Sequence, residues 1–353
     1  MKNIAIACAA IFAAVPTIVV CADDSKVKYS WNVTADNEGL WNMTTGKGAY
    51  NGLLTVEGGV SPWQGGTVEA SAIASYTTGA VADDIQGVSN LDAGENRAFR
   101  LLKLGIGQQF GNWTLFAGLR NIDFDYFTTD YTSFFTGSSY GNFPTLSLNH
   151  PLPTYPLSAL GVHVEYAPSE NIVIKESLYA GSASDRFKRQ FRVRPADDGF
   201  FNIGSVTYTA DSDDDDFSPV SYMLSYSIAR MPEEYGDMEL HYAMFGNVEQ
   251  PVATVHDEVQ LGILAQGSWC PVEGMCRGYA AVAMLGQWRN GMMAGVACNR
   301  VFATNGDESD LEFTFSYPLL RYFTLTPSLH CIFTEGSKCN VVGMLRVSFT
   351  IGQ

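Results

Sequence analysis

Positive charge is the scarcest ingredient of this chain. Among 353 residues, 21 Lys and Arg stand against 37 Asp and Glu, a net charge of −16. The basic surface that nucleic-acid binding needs is therefore excluded, and no nucleic acid is expected as a partner. Charge of either sign is thin, at 16% of residues, and the mean hydropathy is +0.00. That pairing is unusual for an acidic soluble protein and ordinary for a barrel whose lipid-facing band is offset by polar loops and lumen. Beyond the N-terminus no apolar run approaches the ~20 residues of a membrane-spanning helix, and no segment has a convincing helical period. If the chain enters a membrane, it enters as strands.

Recognisable catalytic and metal patterns are missing too. The five His form no H-E-x-x-H or other metal spacing, and neither metal nor cofactor is expected. Gly137 to Gly141, GSSYG, has the form G-x-S-x-G, but no helical pattern follows Ser139 to make a strand-to-helix elbow. The chain is not expected to be an enzyme. The acidic SDDDD of 212–216 lacks the spaced ligands and glycine of a Ca²⁺ loop and reads as a solvated turn.

What is present begins with MKNIAIACAAIFAAVPTIVVCADD: one Lys, an apolar run, and Val20-Cys21-Ala22 before Asp23. This reads as a secretory signal over 1–22, leaving 23–353 as a single outer-membrane barrel domain. A lipoprotein signal ending at Cys21 is disfavoured by the bulky Val20 before it. Five cysteines remain after cleavage. Cys270 and Cys276 bracket PVEGM, Cys331 and Cys339 bracket IFTEGSK, and Cys298 is left over. In an oxidising compartment each pair suits one local disulfide, with free buried thiols as the alternative.

In LLKLGIGQQFGNWTLFAGLR, Leu101 to Arg120, the residues Leu102, Leu104 and Ile106 share one parity, with Lys103, Gly105, Gly107 and Gln109 on the other. After Gly-Asn the alternation resumes with Leu115, Ala117 and Leu119 against Thr114, Phe116, Gly118 and Arg120. This is a hairpin showing different solvents to its two faces. Similar runs recur near 27–34, 50–60, 66–80, 99–110, 113–121, 158–167, 171–181, 200–209, 219–230, 237–247, 257–269, 277–288, 292–303, 310–317, 322–333 and 340–351. Short links at 111–112 and near 168, 289 and 318 fall on one side, and long ones at 81–98, 122–157 and 182–199 on the other, as in outer-membrane barrels. The links around SDDDD and NVEQPVAT (247–254) are too long for their side, which leaves fourteen or eighteen strands as alternatives to sixteen.

The stretch DDIQGVSNLDAGENRAFRLLKLGIGQQFGNWTLFAGL, preceded by PWQGGTVEASAIASYTTG, resembles the OprB-type carbohydrate-selective porins. The likeness continues through DFDYFTTDYTSFFTGSSYGNFPTLSLNHPLPTYPLSALGVHVEYAPSENIVIKESLYAG, from about 46 to 185 in all. The resemblance implies an all-β, sixteen-stranded antiparallel transmembrane barrel with a long loop folded inward. It also implies passive diffusion of monosaccharides and similar small sugars across the outer membrane. One departure is Glu176, on the outward parity where the family usually has a small residue.

A sugar-selective pore needs planar polar groups for hydroxyls and aromatic faces for the ring. Strand parity turns Lys103, Gln109, Arg120, His163, Glu165, Lys175 and Tyr179 toward the lumen, and Asp123, Asp125 and Tyr126 enter the inward loop. These ten residues are the candidate pore lining; the competing reading makes them a salt-bridge network that fixes the loop. A general non-selective porin, or a structural or adhesive barrel, would share the pattern. Small sugars and outer-membrane lipid are the expected partners, with homo-oligomerisation open. The mature chain is expected to begin at Asp23 and to fractionate with the outer membrane. Mass spectrometry of the purified protein checks this: an intact Met1 terminus, or recovery from the soluble periplasm, contradicts it.

Overall fold

The computed structural model describes residues 27–79, 87–150, 152–181, 183–210, 214, 216–232, 238–272 and 274–352. The expected signal segment and its cleavage point lie outside them. Sixteen antiparallel strands close into one barrel. They are β1 (Lys28–Asn42), β2 (Gly48–Trp63), β3 (Gly66–Thr77), β4 (Arg97–Phe110), β5 (Trp113–Arg120), β6 (Ala159–Ser169), β7 (Ile172–Ala180) and β8 (Phe200–Thr209). The second half comprises β9 (Ser221–Pro232), β10 (Met238–Val255), β11 (Val259–Trp269), β12 (Cys276–Trp288), β13 (Met293–Ala303), β14 (Glu308–Leu320), β15 (Phe323–Thr334) and β16 (Asn340–Gly352). Each pairs with its chain neighbour, and β16 returns to β1 with Asn32 opposite Gly352 and Asn42 opposite Val342.

All sixteen periodic segments of the sequence fall on strands. The count is settled by NVEQPVAT, which is not a link: β10 runs on to Val255 through a bulge between Pro251 and Ala253. Proline, lacking the N–H of a regular ladder, is tolerated beside such a bulge. The turn that remains is 256–258, where His256 and Asp257 adopt φ of 51° and 56°. Only 210–220 stays long on the short-turn rim. Its described carboxylates, Asp214 and Asp216, pair with Arg289 on the turn from β12 to β13, beyond the 256–258 turn, Asp216 at 2.7 Å.

The outer face carries the apolar parity. Leu104, Ile106 and Leu115 are 39%, 54% and 37% exposed. Ring pairs line the short-turn rim, with Trp113 stacked on Tyr166 at 4.4 Å and Phe323 tilted against Phe349 at 5.0 Å between centroids. On β1, Trp31 and Trp41 are both exposed and of the same parity. At ~3.3 Å per residue and a tilt of ~40°, the two indoles stand ~25 Å apart along the barrel axis, the height of a lipid-facing band between its aromatic girdles.

Two expectations for the first hairpin change. Leu102 does not join Leu104 and Ile106 outside: the ladder with β3 skips between Ser71–Lys103 and Ala72–Leu101, and the extra residue turns inward, 4% exposed. Leu119 is likewise fully buried.

Gly105 is on the lumen parity but has no room for a side chain, since a Cβ there would meet the Phe116 ring at 2.4 Å. Ile106→Arg should therefore cost on the order of 2–4 kcal/mol if the site lies near the bilayer midplane. Thr114→Arg, opening into the wet lumen, should cost far less. Gly105→Ser should also destabilise, by steric clash rather than by lipid exposure. Urea unfolding in lipid vesicles measures all three, and equal costs for Ile106→Arg and Thr114→Arg would refute the parity.

Candidate functional site

The link between β5 and β6, residues 121–158, folds back into the barrel and divides the lumen. Phe127, Tyr131, Phe134, Phe135, Tyr140 and Phe143 are buried in one cluster with Phe245, Leu264, Tyr279, Ala281, Ala283 and Ala297 of the wall. Phe143 lies 4.8 Å from Phe245 and 5.6 Å from Phe127 between centroids. The inward parity of β9 to β13 is thus largely apolar and often small, which leaves volume for loop aromatics. Removing that apolar surface from water drives the loop against this arc.

Polar anchors fix its position. At the tip, Glu312 on β14 accepts from the Thr136 amide at 2.7 Å, the Thr136 hydroxyl at 2.9 Å, the Gly137 amide at 3.2 Å and the Thr314 hydroxyl. His330 on β15 sits between Thr136 Oγ1 at 3.0 Å and Asp310 Oδ2 at 2.8 Å. Asp310, His330 and a threonine hydroxyl resemble a catalytic relay. Thr136 and His330 are fully buried, however, and Thr136 is held by Glu312, so the arrangement is a latch. Glu249 on β10 binds the Thr129 hydroxyl and the Tyr131 amide, the latter at 3.0 Å. The preceding link adds a second layer, with Ser138 N donating to Gly87 O at 2.8 Å and Asn90 N to Thr136 O at 2.9 Å. Gly137 to Gly141 is a short 3₁₀ turn in this layer, not a strand-to-helix elbow.

The free side of the lumen runs along β2 to β5. A single helical turn, Asp123–Phe127, sends successive side chains different ways. Asp125 meets Arg120 in a bidentate pair, 2.6 Å from Nε, and the guanidinium lies 4.7 Å over the Phe116 ring. Tyr126 points to the wall, bonding Ser177 Oγ at 2.8 Å and Ile203 O at 3.2 Å. Phe127 joins the aromatic cluster. Phe124 is left 60% exposed.

Arg120, Asp125 and Phe124 line a cavity of about 90 Å³ with Glu57, Ser71, Leu102, Lys103 and Asn121. Toward the short-turn rim lies a cleft of about 560 Å³ bordered by Trp63, Thr67, Glu69, Gln108, Gln109 and Thr114. The Lys103–Glu69 ion pair joins the linings of the two.

Of the ten candidate residues, Lys103, Arg120 and Asp125 meet in the upper cavity. Lys175 reaches Asp125 O at 3.2 Å and Glu165 at 4.0 Å, extending the cluster. His163 bonds Ser177 Oγ at 2.7 Å, beside Tyr126, and both are buried behind the lining, as is Tyr179. Asp123 turns back into its own loop, accepting from the Thr154 hydroxyl and from Tyr155 N at 2.7 Å. Gln109 stands apart in the lower cleft.

Burial pushes the Asp123 carboxyl up to about 6 despite those donors. Burial acts the same way on Asp125, but the Arg120 guanidinium outweighs it and holds that carboxyl below its ordinary value. The Arg120–Asp125 pair therefore stays charged at neutral pH.

Sequence reasoning missed Phe124, Glu69 and a second buried pair across the barrel. There Arg346 Nε donates to Glu38 at 2.7 Å, and Glu38 also receives the Asn51 amide at 3.4 Å. Arg346 lies on the lumen parity of the last strand and was legible as such. Glu38 was not, because the first strand is longer than its alternating segment.

A family model described as "Carbohydrate-selective porin, OprB family" matches residues 61–224. No curated protein matches the chain. Among solved structures, the fold is similar to the high-pH structure of OprB from Pseudomonas putida, with a TM-score of 0.75 and 12% identity over 92% of this chain and 94% of that one. It is also similar to an anion-selective porin from Comamonas acidovorans, with a TM-score of 0.60 and 10% identity over 92% and 99%.

The latch can be tested directly. Glu312→Ala strips the acceptor from two buried amides, each costing ~1–3 kcal/mol when orphaned, while the Thr136 hydroxyl keeps Ser328 and His330 as partners. Lower stability in lipid and a larger, noisier single-channel conductance are expected, with Glu312→Gln intermediate. Wild-type conductance and noise in both variants would mean that the loop is held by its aromatic cluster alone.

Proposed function

We infer that this chain is a passive, carbohydrate-selective porin of the OprB type in the outer membrane, an open path for small sugars rather than an enzyme. The match over residues 61–224 and the closed sixteen-stranded barrel carry this reading. The finer assignments are ours: export by cleavage before Asp23, one barrel domain over 23–353, lipid around the apolar band, and a lining built on Lys103, Arg120 and Asp125.

The geometry suits neutral, hydroxyl-rich solutes. Arg120 and Asp125 satisfy each other, so neither presents a bare charge to an ion, yet their remaining N–H groups and lone pairs can exchange hydrogen bonds with sugar hydroxyls. Phe124, exposed beside them, offers a ring face to the C–H side of a pyranose. Cationic and anionic groups alternate along the path, Lys103 with Glu69 and Arg120 with Asp125. A field of mixed sign helps neither cations nor anions strongly. Contacts of this kind are weak enough for release, which conduction requires.

Two substitutions separate the sugar contact from the charge balance. Phe124→Ala should lower liposome swelling rates with glucose several-fold and leave the reversal potential in a KCl gradient unchanged. Lys103→Gln removes the ion-pair partner of Glu69, so it should shift the reversal potential toward cations with a smaller effect on sugar. Unchanged swelling with Phe124→Ala would remove the aromatic contact from the mechanism and favour a non-selective pore.

A further inference from the structure

Five cysteines lie among the described residues, all as thiols. Four of them form two neighbouring pairs at the long-link rim. Cys270 and Cys276 are both buried in one cluster at the turn from β11 to β12, where Cys270 N donates to Arg277 O, next to Cys276, at 3.0 Å. Cys331 and Cys339 flank the turn from β15 to β16. Cys331 pairs in the ladder with Val341, two residues beyond Cys339, which makes the two cysteines diagonal neighbours on one face of a hairpin. Cys298 is exposed on the outer wall, with Val282 and Leu311 as its ladder partners.

We propose that the exported protein carries two disulfides, Cys270–Cys276 and Cys331–Cys339, with Cys298 its single free thiol.

The proposal rests on the outer-membrane reading only for its redox setting, because a chain reaching that membrane crosses an oxidising compartment. The oxidant is a disulfide of that compartment. A cysteine thiolate attacks one of its sulfurs, releasing the other as a thiolate and giving a mixed disulfide; the partner thiolate then attacks the protein sulfur of that mixed disulfide and displaces the remaining oxidant sulfur. Two protein thiols and one oxidant disulfide become one protein disulfide and two oxidant thiols. Each bridge closes a hairpin-sized loop, which costs less chain entropy than any pairing between the two hairpins. Cys270 and Cys276 are 1% and 0% exposed in the barrel, so their oxidation precedes closure.

The first bridge also bears on the pore. Asn149, at the base of the inward loop, donates to Cys276 O at 2.7 Å and accepts from Cys276 N at 2.9 Å. A disulfide there stiffens the turn on which the loop is tied.

The test is a peptide map of protein purified from outer membranes without reductant and alkylated in denaturant. Cleavage after Lys338 leaves Cys331 on 322–338 and Cys339 on 339–346, so the two peptides travel together only through a disulfide. Cys270 and Cys276 share the peptide 231–277, which should run two hydrogens light and take no alkyl group. Cys298 alone should be alkylated. Cys339→Ser should expose Cys331 to alkylation and leave the 231–277 peptide protected. Alkylation of all five cysteines in the native protein, a cross-link joining the two hairpins, or continued protection of Cys331 in the variant would overturn the proposal. None of these outcomes depends on whether the pore selects sugars.

Discussion

In lipid, no solvent satisfies a backbone N–H or C=O, so a sheet crossing a membrane must close on itself. Everything else in this chain is arranged around that ring. The pairing of β16 with β1 from Asn32–Gly352 to Asn42–Val342 removes the last free edge. Once closed, the ring fixes a two-residue period around the whole wall and forces each strand to serve two solvents. The bulges in β4 and β10 are two of several local exceptions. They change which side chains enter the lumen without opening the ladder, and the bulge in β4 adds Leu102 to the narrow part of the passage.

The interior splits into two arcs with opposite chemistry. Along β9 to β13 small and apolar residues accept the aromatic loop, a packed core in all but location. Along β2 to β5 the inward residues include Glu57, Glu69, Lys103, Gln109, Thr114 and Arg120, and the passage runs there. The loop is pinned on both sides, by apolar burial and the Glu249 hydrogen bonds on one arc and by the Glu312 and His330 hydrogen bonds on the other. This division explains why charged groups in the narrow part come in pairs: Arg120–Asp125 and Arg346–Glu38 are nearly buried, and a single unpaired charge at that depth would be costly. On the function proposed above, a narrow passage lined by internally compensated pairs and an exposed ring would discriminate by shape and hydrogen bonding more than by charge.

How much of this the sequence reveals follows from the range of each interaction. Strand parity is local, and sixteen periodic segments led to sixteen strands. Leu102 was misplaced because a bulge depends on the neighbouring strand, and β10 was cut short because Pro251 and the polar residues around it imitate a turn. Lys103, Arg120 and Lys175 are legible as inward charges because strand parity shows in one strand at a time, and Asp125 because the loop that follows Arg120 turns inward. Phe124 was passed over in favour of Tyr126, since which residue of a helical turn remains exposed depends on what the turn packs against. Glu312 and His330 are visible as inward polar residues, but their partner Thr136 is nearly two hundred positions away in the chain, and no local pattern connects them.

The same constraint that closes the ring also accounts for the polar residue on its outer face. Glu176 points outward from the middle of β7, where a bare carboxyl group facing lipid would be expensive. It is not bare. Glu176, Gly204 and Tyr226 form one row across three adjacent strands. The Tyr226 hydroxyl donates to the Glu176 oxygens at 2.9 and 3.0 Å, and Asn202 donates through its amide. Gly204 makes this reach possible, because a Cβ there would come within 2.4 Å of Glu176 Oε2 and 2.6 Å of the tyrosine ring. A tyrosine, an asparagine and a glycine on the lipid face are poor choices for burying apolar surface. They make sense together as the donors and the gap that supply Glu176 with partners from within the wall.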